Sequence, residues 1–227
     1  MSPPTRPRFV RLRALGLAAG LVALATACSW GSPGGMVVGS GDPVSETRSV
    51  AEFSSVSAGG GIQVELSTGP QHVVITAQPN ILAITTAEVS GSRLTLGTTS
   101  GYVTPQGLVV KVTVPRLDGI ELSGGASASG TVGTSKDLAI QMSGGARTTV
   151  SGSTGNLDLT ASGGALPNLG ELHATNATVD LSGGVVASVA VSGSLEGSAS
   201  GGVVLTLTTR PASTRVETSG GAVVRNP

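Results

Sequence analysis

Leu138-Ala139-Ile140-Gln141-Met142-Ser143-Gly144-Gly145-Ala146 decides the fold. Leu138, Ile140 and Met142 alternate with Ala139 and Gln141, the period-two pattern of a half-buried strand. The strand runs into a Ser-Gly-Gly corner followed by a small residue. The same corner recurs at Ser123-Gly124-Gly125, Ser143-Gly144-Gly145, Ser162-Gly163-Gly164, Ser182-Gly183-Gly184, Ser200-Gly201-Gly202 and Ser219-Gly220-Gly221, at intervals of 20, 19, 20, 18 and 19 residues. A fixed period of this length is the signature of a solenoid. Strand, glycine corner, second short strand and variable turn in about 19 residues make one coil. The expected fold is therefore all-β, a single-stranded parallel β-helix whose coils stack at about 4.8 Å.

The alternation sorts side chains into two rows. The inward row carries Ile120 and Leu122, then Leu138, Ile140 and Met142, then Leu157, Leu159 and Ala161, then Ala177, Val179 and Leu181, and finally Val216 and Thr218. The outward row carries Glu121, Ala139, Gln141, Asp158, Thr160, Thr178, Asp180, Glu196, Ser198, Arg215 and Glu217. Asp118 and Gly197 interrupt the inward row, so two coils are expected to be locally weaker. Each Gly costs roughly 0.5–1 kcal/mol relative to Ala, so the paired corner glycines imply a geometric need, either positive φ or close backbone approach. Residues 49–119 carry the same chemistry less regularly. Their strand candidates are Ile62 to Leu66, Val73 to Ile75, Ile81 to Ile84, Leu94 to Leu96 and Val109 to Val114, with turns at Ser67 to Pro70, Gln78 to Asn80 and Ser90 to Ser92. Phe53 and Tyr102 are candidates to cap the N-terminal end.

Composition excludes several classes. Thirteen basic side chains balance thirteen acidic ones, which leaves no basic excess for nucleic acid. Hydrophobic residues reach 39% and charged residues 11%, which does not fit charge-driven disorder. Phe9, Trp30, Phe53 and Tyr102 are the only aromatics, so the interior must be narrow and aliphatic.

Residues 1–27 read as an export signal. Arg6, Arg8, Arg11 and Arg13 form a positive segment, and the uncharged run Ala14 to Ala25 is too short to span a bilayer. Ala25-Thr26-Ala27-Cys28 resembles a bacterial lipobox, with Leu24 one place earlier than the family pattern has it. The resemblance implies acylation of the Cys28 sulfur, cleavage before it, and anchoring on the outer face of a bacterial membrane. The alternative is an ordinary secretory signal with an incidental cysteine. Removing four Arg and no acid leaves 13 − 4 = 9 basic and 13 acidic side chains, a net charge of −4. Residues 28–48, rich in Gly, Ser and Pro, read as a tether, with Trp30 either at the membrane interface or incidental. Residues 49–227 are then the β-helix domain.

Phe53 with its following Ile-x-Val-x-Leu strand, Val112-Thr113-Val114-Pro115-Arg116-Leu117, and the Ile-x-Leu-Ser-Gly-Gly-Ala repeats together resemble the head GIN domain of auto-transporter adhesins. The resemblance spans about residues 49–226. It implies a right-handed β-helix on an exported protein with a surface-interaction role, and it brings no catalytic motif. The expected lipid anchor at Cys28 would serve in place of an auto-transporter's β-barrel.

Catalytic and ligand-binding chemistry is sparse. Asp158 and Asp180, one coil apart and offset by two residues, come closest to a carboxylate dyad; a solvated charged face accounts for them as well. His72 and His173 are far apart and without clustered partners, so no metal or other cofactor is expected. Gly59 to Gly61 lacks the Lys-Ser/Thr of a phosphate loop. The corner serines have no neighbouring base and are expected to satisfy backbone groups. Leu166, Val186, Val204 and Val223 follow the corner on four successive coils. If alternation continues through the corner they form an exposed apolar stripe suited to an interaction; if the corner shifts the phase they face the core. The C-terminal coil is a candidate for self-association. The expected function is a non-enzymatic envelope lipoprotein presenting a β-helix to protein or glycan. The alternative is a carbohydrate-active β-helix enzyme, a polysaccharide lyase or hydrolase.

Overall fold

The alternating strands and glycine corners build a right-handed β-solenoid of about five turns. The computed structural model describes residues 35–227. The expected signal segment, Cys28 and Trp30 lie outside the described residues.

Two sides of the solenoid are set by the strands before and after each corner. Before the corners come β3 (Ser55–Ala58), β7 (Arg93–Thr98) and β10 (Gly119–Leu122), then the second halves of β11 (Ser127–Met142), β12 (Arg147–Ala161) and β13 (Leu166–Gly183), then β15 (Ser194–Gly201) and β17 (Ser213–Gly220). After the corners come β4 (Gln63–Thr68), β9 (Val109–Val114), the first halves of β11, β12 and β13, then β14 (Val186–Val191), β16 (Val204–Leu207) and β18 (Val223–Arg225). Neighbouring coils pair in parallel, Ile120 beside Ile140, Ile140 beside Leu159 and Leu159 beside Val179. These inward side chains are fully buried, and burying each Val or Leu contributes about 1.5–3 kcal/mol. The variable turn expected between coils is itself paired in the central coils. Within β11 the ladder to β12 shifts register between Thr131 and Thr134 and then resumes, which adds a short third side. There Ser135 Oγ donates to Thr154 Oγ1 (3.1 Å), satisfying two buried hydroxyls.

The corner glycines meet both geometric needs. The first glycine of each corner has positive φ, 72° at Gly163 and 82° at Gly183. A Cβ on Gly163 would also lie 3.1 Å from the Gly144 backbone nitrogen. The second glycine needs neither, except Gly125 with its φ of 87°: a Cβ on Gly164 would meet only ordinary contact at 3.7 Å. Gly197 is a third kind of site. It interrupts the inward row because its φ of 136° brings it so close to Val179 that a Cβ would lie 1.9 Å from the Val179 carbonyl oxygen. The corner serines donate through their backbone, as from Ser143 N–H to the Leu122 carbonyl (2.9 Å). Their hydroxyls form no side-chain hydrogen bond among the described residues, which differs from the expected backbone-satisfying role.

The N-terminal end departs from sequential stacking. The coil of β3 and β4 lies between the coil of β7 and β9 and the coil of β10 and β11. The intervening chain adds antiparallel strands: β5 (His72–Ala77) on β9, β2 (Val44–Thr47) on β5, and β6 (Thr85–Ser90) in a hairpin with β7. β1 (Val37–Val38) pairs with β8 (Tyr102–Val103). The 81–84 strand candidate is corrected: Pro79–Leu82 form a short helix, α1, because Pro79 occupies its first turn and Gln78 caps it in extended conformation. The tether reading gives way over residues 37–38 and 44–47, where β1 and β2 find open strand edges to pair with. Phe53 is buried at this end, and burial pushes the Tyr102 phenol above its usual pKa.

Gly163→Ala should lower unfolding stability by about 1–3 kcal/mol through its left-handed backbone and close approach. Gly164→Ala should stay within about 0.5 kcal/mol. Denaturant unfolding of the two variants beside the parent chain checks the pair.

Candidate functional site

With the interior filled by aliphatic side chains, interactions fall to the outward rows and to the ends of the solenoid. Alternation continues through the corner. Ala165, Val185 and Val203 are buried while the next residue on each coil turns outward. Leu166 is half-buried, Val186 is 50% exposed, Val204 is half-buried and Val223 is 46% exposed. Val186 pairs with Val204 and Val204 with Val223, and the β13–β14 register continues the row to Leu166. The stripe is bounded. Arg147, Ser127 and Gln63 continue the same row toward the N-terminal end. One side is lined by the exposed glycines Gly164, Gly184, Gly202 and Gly221, which have no side chains to shield it. The other is lined by a polar row, in which Ser188 Oγ donates to Asn168 Oδ1 (2.8 Å).

The outward face before the corners is polar apart from Gly119 and Ala139. Glu121, Gln141, Thr160, Asp180, Ser198 and Glu217 stack coil on coil. Arg93 Nη1 lies 2.8 Å from Glu121 Oε2, and Ser198 Oγ donates to Asp180 Oδ1 at 3.2 Å. Asp158 stands beside Thr178 and Asp180 beside Thr160, so the two carboxylates are diagonal and each faces a hydroxyl. Glu196 and Arg215 are adjacent at 3.8 Å, an exposed pair worth about 0–1 kcal/mol.

A groove of about 530 Å³ opens where these strands begin, lined chiefly by Arg116, Asp118, Lys136, Asp137, Asn156 and Asp158. Its charges are largely engaged with one another. Arg116 Nη2 donates to Asp118 Oδ2 (2.8 Å), and Asn156 Nδ2 donates to Asp137 Oδ1 (2.7 Å). Asn176 Nδ2 donates onward to Asn156 Oδ1 (3.2 Å), and Ser194 Oγ to Asn176 Oδ1 (3.0 Å). This ladder was not singled out from sequence, although Asp137, Asn156 and Asn176 recur with the coil period. Among the described residues, no three His, Cys, Asp or Glu side chains group as a metal site.

The family model described as "Putative auto-transporter adhesin, head GIN domain" matches residues 52–211. The chain belongs to this family. A solved adhesin-like protein from Bacteroides fragilis superposes with a TM-score of 0.66 at 18% identity, covering 84% of this chain and 100% of the other. Similar proteins from Parabacteroides merdae and Parabacteroides distasonis give TM-scores of 0.53 and 0.50, each at 16% identity. The first covers 85% of this chain and 99% of its own, the second 85% and 100%. At these identities the likeness concerns the fold. No curated protein matches the chain.

Val186→Lys should keep the fold and change stability by no more than about 0.5 kcal/mol. Leu205→Lys, one position on from Val204 and fully buried, should cost more than about 3 kcal/mol. Thermal unfolding followed by circular dichroism distinguishes the two.

Proposed function

We propose that this GIN-domain protein is an exported, non-enzymatic lipoprotein. Acylated at Cys28 on the outer face of a bacterial membrane, it holds its solenoid outward as an adhesin-like contact surface. In this reading residues 1–27 are removed on export, and 28–36 connect the anchor to the first strand. Two or more acyl chains give durable anchoring, since each buried methylene contributes about 0.8 kcal/mol. The stripe of Leu166, Val186, Val204 and Val223 takes an envelope protein or glycan, and the C-terminal coil meets a second copy.

The observation that carries the reading is the aliphatic row. Its side chains are spared from the core, aligned over four coils, and flanked by bare glycine backbone. A solvent-facing position on a strand gains nothing in stability from a valine that a threonine would not supply, and aligned apolar surface marks contact sites.

Mass spectrometry of the mature protein from membranes should find residue 28 at the N-terminus carrying acyl chains; an unmodified Cys28 contradicts the anchor. The parent chain should retain envelope proteins or cell-wall polysaccharides, and Val204→Lys should lose at least ten-fold in binding while keeping its fold. Unchanged binding in that variant contradicts the stripe. Polysaccharide turnover abolished by Asp180→Asn would favour the enzymatic alternative.

A further inference from the structure

At one end of the solenoid, β17 pairs with β15 and β18 with β16, and among the described residues neither pairs on its other side. Register with Leu195, Gly197 and Ala199 turns Thr214, Val216 and Thr218 inward and Ser213, Arg215, Glu217 and Ser219 outward. The inward groups of this coil are left uncovered. Val216, Ala222 and Val224 are only partly buried, where Val203 and Leu205 one coil back are fully buried. An eight-residue edge with open backbone groups is a template for another strand, and edges that avoid pairing carry charges that repel a copy of themselves.

This edge does the reverse. Ser213-Thr214-Arg215-Val216-Glu217-Thr218-Ser219 reads the same in both directions, except that Arg and Glu exchange places about Val216. Laid antiparallel on itself, the segment sets Ser213 opposite Ser219, Thr214 opposite Thr218 and Val216 opposite Val216. Arg215 then faces Glu217 twice. Directly opposite residues on antiparallel strands lie about 4.5–5.5 Å apart, within reach of an ion pair. Glu217 has no ion-pair partner among the described residues, and Arg215 reaches only Glu196, at 3.8 Å.

We propose that two copies of this chain join end to end through β17, antiparallel about a two-fold axis at Val216, with Arg215 of each copy facing Glu217 of the other. The axis stands perpendicular to the β17 sheet, so inward residues of one copy meet inward residues of the other and the aliphatic interior continues across the junction. A two-fold contact of this kind closes on itself and stops at a dimer, whereas head-to-tail stacking of this coil on the opposite end of a copy would leave a free edge and grow. The pairing rests on the self-association included in the proposed function and supplies its register.

The test uses the full chain, solubilised in a mild detergent and measured by sedimentation over a range of concentrations. The parent should dimerise reversibly. Arg215→Glu and Glu217→Arg each set like charges opposite one another twice and should weaken the dimer about ten-fold or more. Both sites are exposed, so circular dichroism should be unchanged. An equimolar mixture of the two variants restores both Arg–Glu pairs and should recover parental affinity. A dimer that neither variant weakens, or a mixture that fails to recover, overturns this register while leaving self-association standing. A parent chain monomeric at every concentration overturns both.

Discussion

Backbone packing at the glycine corners is the constraint on which the rest of the structure depends. The chain must reverse within three residues and still let the next corner settle on it. Gly183 lies so close to Gly163 that a side chain at the former would press on the latter's carbonyl oxygen at 3.0 Å. The corners are also hydrogen-bonded to one another, from Gly164 N–H to the Gly144 carbonyl at 2.8 Å and from Gly184 N–H to the Gly163 carbonyl at 2.6 Å. Coil spacing is set at these corners, and the aliphatic ladders follow from it. A cross-section that admits Ala, Val and Leu at each level has little room for aromatic rings, which accounts for a chain with so few of them.

The same constraint produces the surfaces. Because the corner preserves the phase of alternation, the residue after each small corner residue always faces outward. Function can then be written into outward rows without disturbing the core. One row became aliphatic over four coils, another polar along the whole solenoid. A third, from Asp137 through Asn156 and Asn176, became a hydrogen-bonded ladder beside a charged groove.

Much of this was legible in the residues. The repeat, its corners, the inward and outward rows before each corner, and the family all follow from local patterns that recur with one period. The phase after the corner was not legible, because it depends on how Gly163 and its equivalents turn the backbone, and two orientations suited the sequence equally. Nor was the stacking order at the N-terminal end. β3 and β4 are flanked by coils that come later in the chain, and pairing between segments so distant leaves no periodic trace. β2 carries a weak strand signal in Val44-Ser45-Glu46-Thr47 and is extended because β5 offers it an edge. Gly197 looked like a weakness in an inward row and is a point of close contact. The self-complementary segment 213–219 is plain in the sequence, yet it acquires meaning only once β17 is seen at an edge.

Residue-resolved amide hydrogen exchange of the native chain tests the corner account most directly. Gly164 and Gly184 are exposed to solvent, yet their N–H groups donate to the corner beneath. The account predicts that these amides exchange as slowly as those of the buried strands beside them, opening only with the whole solenoid. Exchange at the rate of a free loop would show that the corners are not joined to one another, and would contradict it.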